Sequence, residues 1–181
     1  MSKRQGASRD RNPRSARTLS TRRPLTPFER ELTTKRRGEI SELAFALAAA
    51  RHGFGVSKPF GDSERYDIIL DPSHLSPSNP FARPRLVRVQ VKASTHLLKG
   101  LYHVGIHRNN KGRNCPYKLG EIDFVAAYVI PEDLWFILPL PHILGQLSLL
   151  FQPAGSPRAC VYSYYREAWQ LLYRPDGLEF A

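Results

Sequence analysis

An acid, an amide and a lysine stand in two short apolar segments, Arg65-Tyr66-Asp67-Ile68-Ile69-Leu70 and Leu86-Val87-Arg88-Val89-Gln90-Val91-Lys92-Ala93. In the second segment a two-residue period sends Val87, Val89, Val91 and Ala93 to one face and Arg88, Gln90 and Lys92 to the other. The stretch from Asp71 to Arg85 that separates them holds four prolines together with Ser, Asn and His, which is loop composition. Antiparallel neighbours joined by such a loop would bring Asp67 beside Gln90 and Lys92. Hydrolysis of a phosphodiester needs charge stabilisation on the nonbridging oxygens, a deprotonated water and a route for the leaving oxygen. A hard divalent cation held by oxygen ligands helps all three.

Asp67 is the best ligand candidate, because an acid at the head of an apolar strand must be paired, hydrogen-bonded or metal-bound. A salt bridge to Arg65 or Lys92 is the alternative. Gln90 offers a neutral carbonyl oxygen, and Arg88, on the same strand face, suits a phosphate or a neighbouring acid equally well. Glu39 and Glu42, three residues apart, share neighbouring parts of one helix face. The segment His107-Arg108-Asn109-Asn110-Lys111-Gly112-Arg113-Asn114 reads as a basic, amide-rich loop, in which Arg108, Lys111 and Arg113 would contact phosphates or simply face solvent. Asp123 reads as an anchor for the loop before it, with a further acid near the site as the alternative. His103 and His107 would share a strand face, but no Cys or third His follows at zinc-ligand spacing.

An acid on one strand, a (D/E/Q)-x-K triplet on the next and a preceding helix carrying a glutamate resemble the PD-(D/E)xK nuclease superfamily. More narrowly, Gly38-Glu39-Ile40-Ser41-Glu42, Gly53-Phe54-Gly55-Val56, Pro59-Phe60-Gly61-Asp62, Tyr66-Asp67 and Val89-Gln90-Val91-Lys92 resemble the branch that contains a group I intron homing endonuclease. Archaeal Holliday-junction resolvases are more distant relatives with the same core. The resemblance covers roughly residues 35 to 140 and lies in order and spacing rather than in any one piece. It implies Asp67, Gln90, Glu42 and the Val91 carbonyl as ligands of Mg2+ or Mn2+. Lys92 would orient the attacking water or stabilise the phosphate. Gln90 departs from the usual acid of the triplet, though the homing-endonuclease branch has glutamine there too.

The chain has 181 residues, 41% of them hydrophobic, enough for one domain with a real core. Its net charge of +11 is uneven: residues 1–37 hold 12 Lys/Arg against 3 Asp/Glu, and residues 38–181 hold 15 against 13. A basic arm on a nearly neutral domain suits a polyanionic partner. Cys115 and Cys160 form no Cys-x-x-Cys pair, which fits free thiols in a reducing cytoplasm. No apolar run is long enough to cross a bilayer, the N-terminus shows no hydrophobic core of a signal peptide, and its Arg- and Ser-rich start has no apolar face before Pro24 to suit a transit peptide.

The elements that must position these residues follow from patterning. Residues 1–25 read as a disordered basic arm and 26–181 as the nuclease-like domain, opening with a helix start at Thr26-Pro27-Phe28-Glu29. From Lys35 to His52 the apolar residues Ile40, Leu43, Leu47 and Ala50 recur at helical spacing, and Gly53 supplies a stop. Strands are expected near 54–58, 65–70, 86–93, 101–107, 122–130 and 134–139, and a closing amphipathic helix at Tyr164 to Tyr173. Leu147-Ser148-Leu149-Leu150-Phe151 reads as core or interface. The expected fold is therefore α/β, a restriction-endonuclease-like core whose mixed, mainly antiparallel sheet is flanked by helices. The expected function is metal-dependent cleavage of DNA by a homodimer or higher homo-oligomer. The alternative is a catalytically inactive DNA- or RNA-binding protein that retains the nuclease fold.

Overall fold

The computed structural model describes residue 26 and residues 31–75, 85–152 and 161–173. The expected basic arm and the helix start at Pro27-Phe28-Glu29 lie outside the described residues. Helix α1 (Thr34–Arg51) begins where the Thr33 hydroxyl accepts the Arg36 amide and ends where Gly53 takes a left-handed φ of 87°. Its inward stripe is Ser41, Phe45 and Ala49. The expected stripe is therefore corrected: Leu43 and Leu47 are 69% and 55% exposed, and Ala50 is exposed too. Small side chains at 41 and 49 let the helix approach the sheet closely, and Phe45 fills the gap between Trp135 and Trp169.

The main sheet comprises β1 (Gly55–Ser57), β2 (Ile68–Asp71), β3 (Val87–Ser94), β8 (Phe124–Val129) and β9 (Leu134–Pro139), in that spatial order. Its pairs are antiparallel except for parallel β3 and β8. Strands β8 and β9, the second of them at the sheet edge, are buried along their whole length, which is why they read as continuous apolar stretches. One face, with Val87, Val89, Val91, Ala126 and Ile137, packs under α1; the other, with Val125, Ala127, Phe136 and Leu138, forms a second core.

That second core is closed by β4 (Leu97–Leu98), β5 (Leu101–Gly105) and β10 (Ser148–Phe151), a separate sheet in the order β10-β5-β4. The strand expected near 101–107 thus leaves the main sheet, because Tyr102 and Val104 bury against Leu149 and Phe151 from a second layer. The basic segment expected to be a loop is a hairpin, β6 (Arg108–Asn110) and β7 (Arg113–Cys115), turned by Lys111 and Gly112 at positive φ. The expected closing helix is instead two 3-10 turns, Ser163–Tyr165 and Trp169–Leu172. Between them Glu167 adopts a left-handed φ, and its carboxylate accepts the Trp135 amide (2.6 Å) and the Trp169 indole N–H (2.8 Å). Those bonds break the helical path in exchange for tying the segment to β9.

Candidate active site

Antiparallel pairing of Ile68 with Val89 sets Asp67 one step beyond the β2 ladder, its amide donating to the Val89 carbonyl (2.9 Å). The alternation that buries Ile68 on the helix side turns Asp67 to the opposite face, with Gln90 and Lys92. One oxygen, Oδ2, accepts both the Val91 amide (2.8 Å) and the Gln90 Nε2 (2.5 Å). Among the described residues the other, Oδ1, receives no hydrogen bond. Gln90 is only 7% exposed and presents its nitrogen to Asp67. Its position across the strand pair makes it the group that fixes the aspartate's rotamer.

Burial pushes the Asp67 carboxyl above its ordinary value; the Val91 amide opposes this, and the nearby Glu42 charge adds to it. Lys92 is pulled below its ordinary value by burial, against the attraction of Asp67 and Glu42. No hydrogen-bond acceptor among the described residues holds its ammonium. Glu42 reaches the same cleft from α1, with Oε2 2.6 Å from the Lys58 ammonium. That contact holds Lys58 above its ordinary value. The cleft has a volume of about 540 Å3 and gathers Glu42, Asp67, Gln90, Val91 and Lys92.

Among the described residues no three His, Cys, Asp or Glu side chains cluster as a metal cage. The donors present are two carboxylates, an amide and a backbone carbonyl, all able to offer oxygen, and Asp67 Oδ1 accepts no hydrogen bond among the described residues while the Glu42 charge acts on the same carboxyl. This donor chemistry fits a hard divalent cation that keeps several waters, and does not fit zinc.

The basic candidates divide. Arg88 is tied to Asp123 through Nε (3.1 Å) and Nη2 (3.0 Å), while the Arg88 amide donates to the same carboxylate (2.8 Å). Arg85 adds a further bond at 2.7 Å. Asp123 is therefore the clasp between the loop before β3 and the loop before β8; against its burial, the Arg88 bonds hold its carboxyl below the ordinary value. Arg108 is 13% exposed and lies 3.4 Å from Glu121. Lys111 and Arg113 are exposed on the hairpin, outside the cleft.

Two residues at the site were not singled out from sequence. Lys58, the partner of Glu42, is one, and its signal was the β1–β2 register: pairing Ser57 with Ile69 carries the next residue to the level of Ile68, beside Asp67. Arg37 is the other, standing four residues before Ser41 at the open end of the inward helix stripe.

A mixed sheet with an acid leading one strand, Gln-x-Lys on its neighbour and a helix glutamate facing both defines a restriction-endonuclease-like core. The profile of the PD-(D/E)XK endonuclease family matches residues 32–151, and the chain belongs to that family. Among solved structures it is similar to a bacterial homing endonuclease, I-Ssp6803I, at 29% identity and a TM-score of 0.66, over 79% of this chain and 95% of that one. No curated protein matches the chain. Among the described residues no helix is long and apolar enough to cross a membrane.

Proposed function

We propose that the protein is a divalent-metal-dependent endonuclease that hydrolyses phosphodiester bonds of DNA, using Asp67, Glu42, Gln90 and Lys92. The observation that carries this reading is Lys92: a half-buried lysine whose ammonium has no hydrogen-bonding acceptor among the described residues, beside an aspartate with an open oxygen, in one cleft. Burying such a cation is costly unless a ligand completes it. A phosphodiester oxygen is the complement.

Asp67, Glu42, the Val91 carbonyl and, after rotation of its amide, Gln90 are the groups that would hold Mg2+ or Mn2+. When bound, the ion supplies charge neutralisation at the phosphate and a more acidic water. In the metal-free protein Gln90 keeps Asp67 aimed into the cleft. Lys92 stabilises charge that grows on the phosphate oxygens, and its lowered proton affinity also suits it to position the attacking water. Hydrolysis in this arrangement leaves a 5′-phosphate, by resemblance to related nucleases. Lys111 and Arg113 would meet the backbone outside the cleft. Because one chain offers one centre, cutting both strands calls for two copies, and we assign the active form to a homodimer or higher homo-oligomer.

The test is cleavage of plasmid and branched DNA by the full chain with Mg2+, Mn2+ or EDTA, beside folded Asp67→Ala and Lys92→Ala variants. Metal-dependent cutting lost in both variants is expected. Retarded DNA without cutting on every substrate would favour a binding protein that retains the fold.

A further inference from the structure

The cleft is also lined by side chains that the hydrolytic centre does not use. Besides Asp67 and Lys92 its lining includes Arg37 of α1, Thr95 after β3, and His103, Gly105 and His107 along and beyond β5. Arg37 is the only arginine among the described residues that line the cleft. Its Nη1 donates to the Thr95 hydroxyl (2.8 Å) and its Nη2 to the Thr34 hydroxyl (3.2 Å). Apart from Lys92, several basic side chains near the site are paired with acids: Lys58 with Glu42, Arg85 and Arg88 with Asp123, Arg108 with Glu121. Among the described residues no carboxylate pairs with Arg37. Its guanidinium is oriented by neutral oxygens, so its full charge remains for a ligand.

The histidines are arranged to join it. His103 projects from β5 between buried Tyr102 and Val104, hence away from the second core and into the cleft. His107 lies with Nδ1 3.1 Å from the Leu147 carbonyl, which fixes that nitrogen as the N–H donor. Its ring rests on Gly105, where a Cβ would come within 3.1 Å of Cε1. The sequence thus leaves room at 105 for the imidazole. The first turn of α1 also carries Lys35, Arg36 and Arg37 with no acid, an unfavourable placement against the helix dipole that Glu39 relieves at Arg36, its partner at 2.9 Å.

We propose that Arg37, His103 and His107 form a second phosphate subsite, which holds a backbone phosphate of the DNA strand next to the one being cut. The inference rests on the nuclease reading and deepens it. The substrate then lies along the cleft, one phosphate at Lys92 and the next at Arg37. A planar guanidinium gripping a nonbridging oxygen pair fixes strand direction, which a lone lysine does not. Arg37 touches substrate without touching the bond that breaks, so its effect belongs to binding and register.

The experiment measures DNA affinity by fluorescence anisotropy in EDTA across a salt series, separately from cleavage in Mg2+. For the full-length Arg37→Met variant, binding should weaken by about 10- to 100-fold, the span of a lost charged hydrogen bond. The slope of log affinity against log salt should fall by about one phosphate contact. His103→Gln, on an exposed strand face, should weaken binding by a smaller factor, and Arg37→Lys should keep the slope while losing affinity. Thr95→Val separates a tether from a ligand, since it removes the 2.8 Å bond and leaves the charge. Unchanged affinity and slope in both Arg37→Met and His103→Gln would overturn the subsite even if the wild type binds and cuts. A lower melting temperature in Arg37→Met with an unchanged slope would overturn it too, making Arg37 a structural strut. A wild type that neither binds nor cuts DNA would instead remove the nuclease reading, and the subsite with it.

Discussion

Gln90 and Asp67 meet across the β2–β3 pair with the amide nitrogen 2.5 Å from Oδ2, so the glutamine of the triplet steadies the aspartate rather than facing it with a second charge. With glutamate there, two carboxylates would crowd one buried spot, a repulsion that protonation or a cation must relieve. Glutamine avoids that cost in the metal-free protein.

Gln90→Glu should therefore lower metal-free stability by about 1–3 kcal/mol at neutral pH, the range for a disrupted buried hydrogen bond to a charged group. Mn2+ or Mg2+ should restore much of it, and thermal melts with and without metal check this. An equal loss with metal present would mean that the cation does not bind between these side chains.

Lys92→Met should reduce cleavage by about 10²–10³-fold, the loss typical of a removed transition-state donor. The same variant should be at least as stable as the wild type, because it replaces a desolvated cation by an apolar chain of similar length. Single-turnover cleavage and thermal melts give the two readings.

The pH dependence has a definite sign at both groups. Lys92 has a folded pKa below 10.5, so the unfolded chain binds more protons between the two values, and stability rises with pH through that window. Asp67 has a folded pKa above 3.8, so the folded chain binds more protons there, and stability falls as pH rises through its own window. Metal-free melts against pH should lose the alkaline rise in Lys92→Met and the acidic fall in Asp67→Asn.

Lys58→Met should change stability little, since an exposed ion pair contributes about 0–1 kcal/mol. Metal binding should tighten by up to about fivefold, the equivalent of removing that competition for Glu42. Calorimetric titration with Mn2+ measures the change. Weaker binding would place Lys58 as a support for Glu42 instead of its competitor.

Asp123→Ala should cost about 2–3 kcal/mol, because the Arg88 amide and two guanidinium groups lose their acceptor. Chemical denaturation measures it. A variant as stable as the wild type would show that water satisfies these donors and that the clasp contributes little.

The sequence by itself determined the local geometry of the centre. Alternation in Leu86 to Ala93 put Gln90 and Lys92 on one face, and an apolar strand headed by Asp67 across a proline-rich loop required an antiparallel neighbour. Those are short-range consequences of a two-residue period, and they hold whatever surrounds the pair. The order of motifs along the chain likewise led to the family before any contact was visible. What the tertiary structure decided was everything set by partners distant in sequence. Leu43 and Leu47 have the right spacing to face inward, yet the helix turned on Ser41 and Ala49, since close approach to the sheet favours small side chains over bulky ones. The closing segment gave up its helix because the Glu167 carboxylate found the Trp135 amide 32 residues away. Arg88 carried the pattern of a phosphate ligand and was claimed by Asp123, 35 residues on. Arg37, with no motif to mark it, was left as the cleft arginine without a carboxylate partner among the described residues, because charge pairing depends on which groups folding brings together.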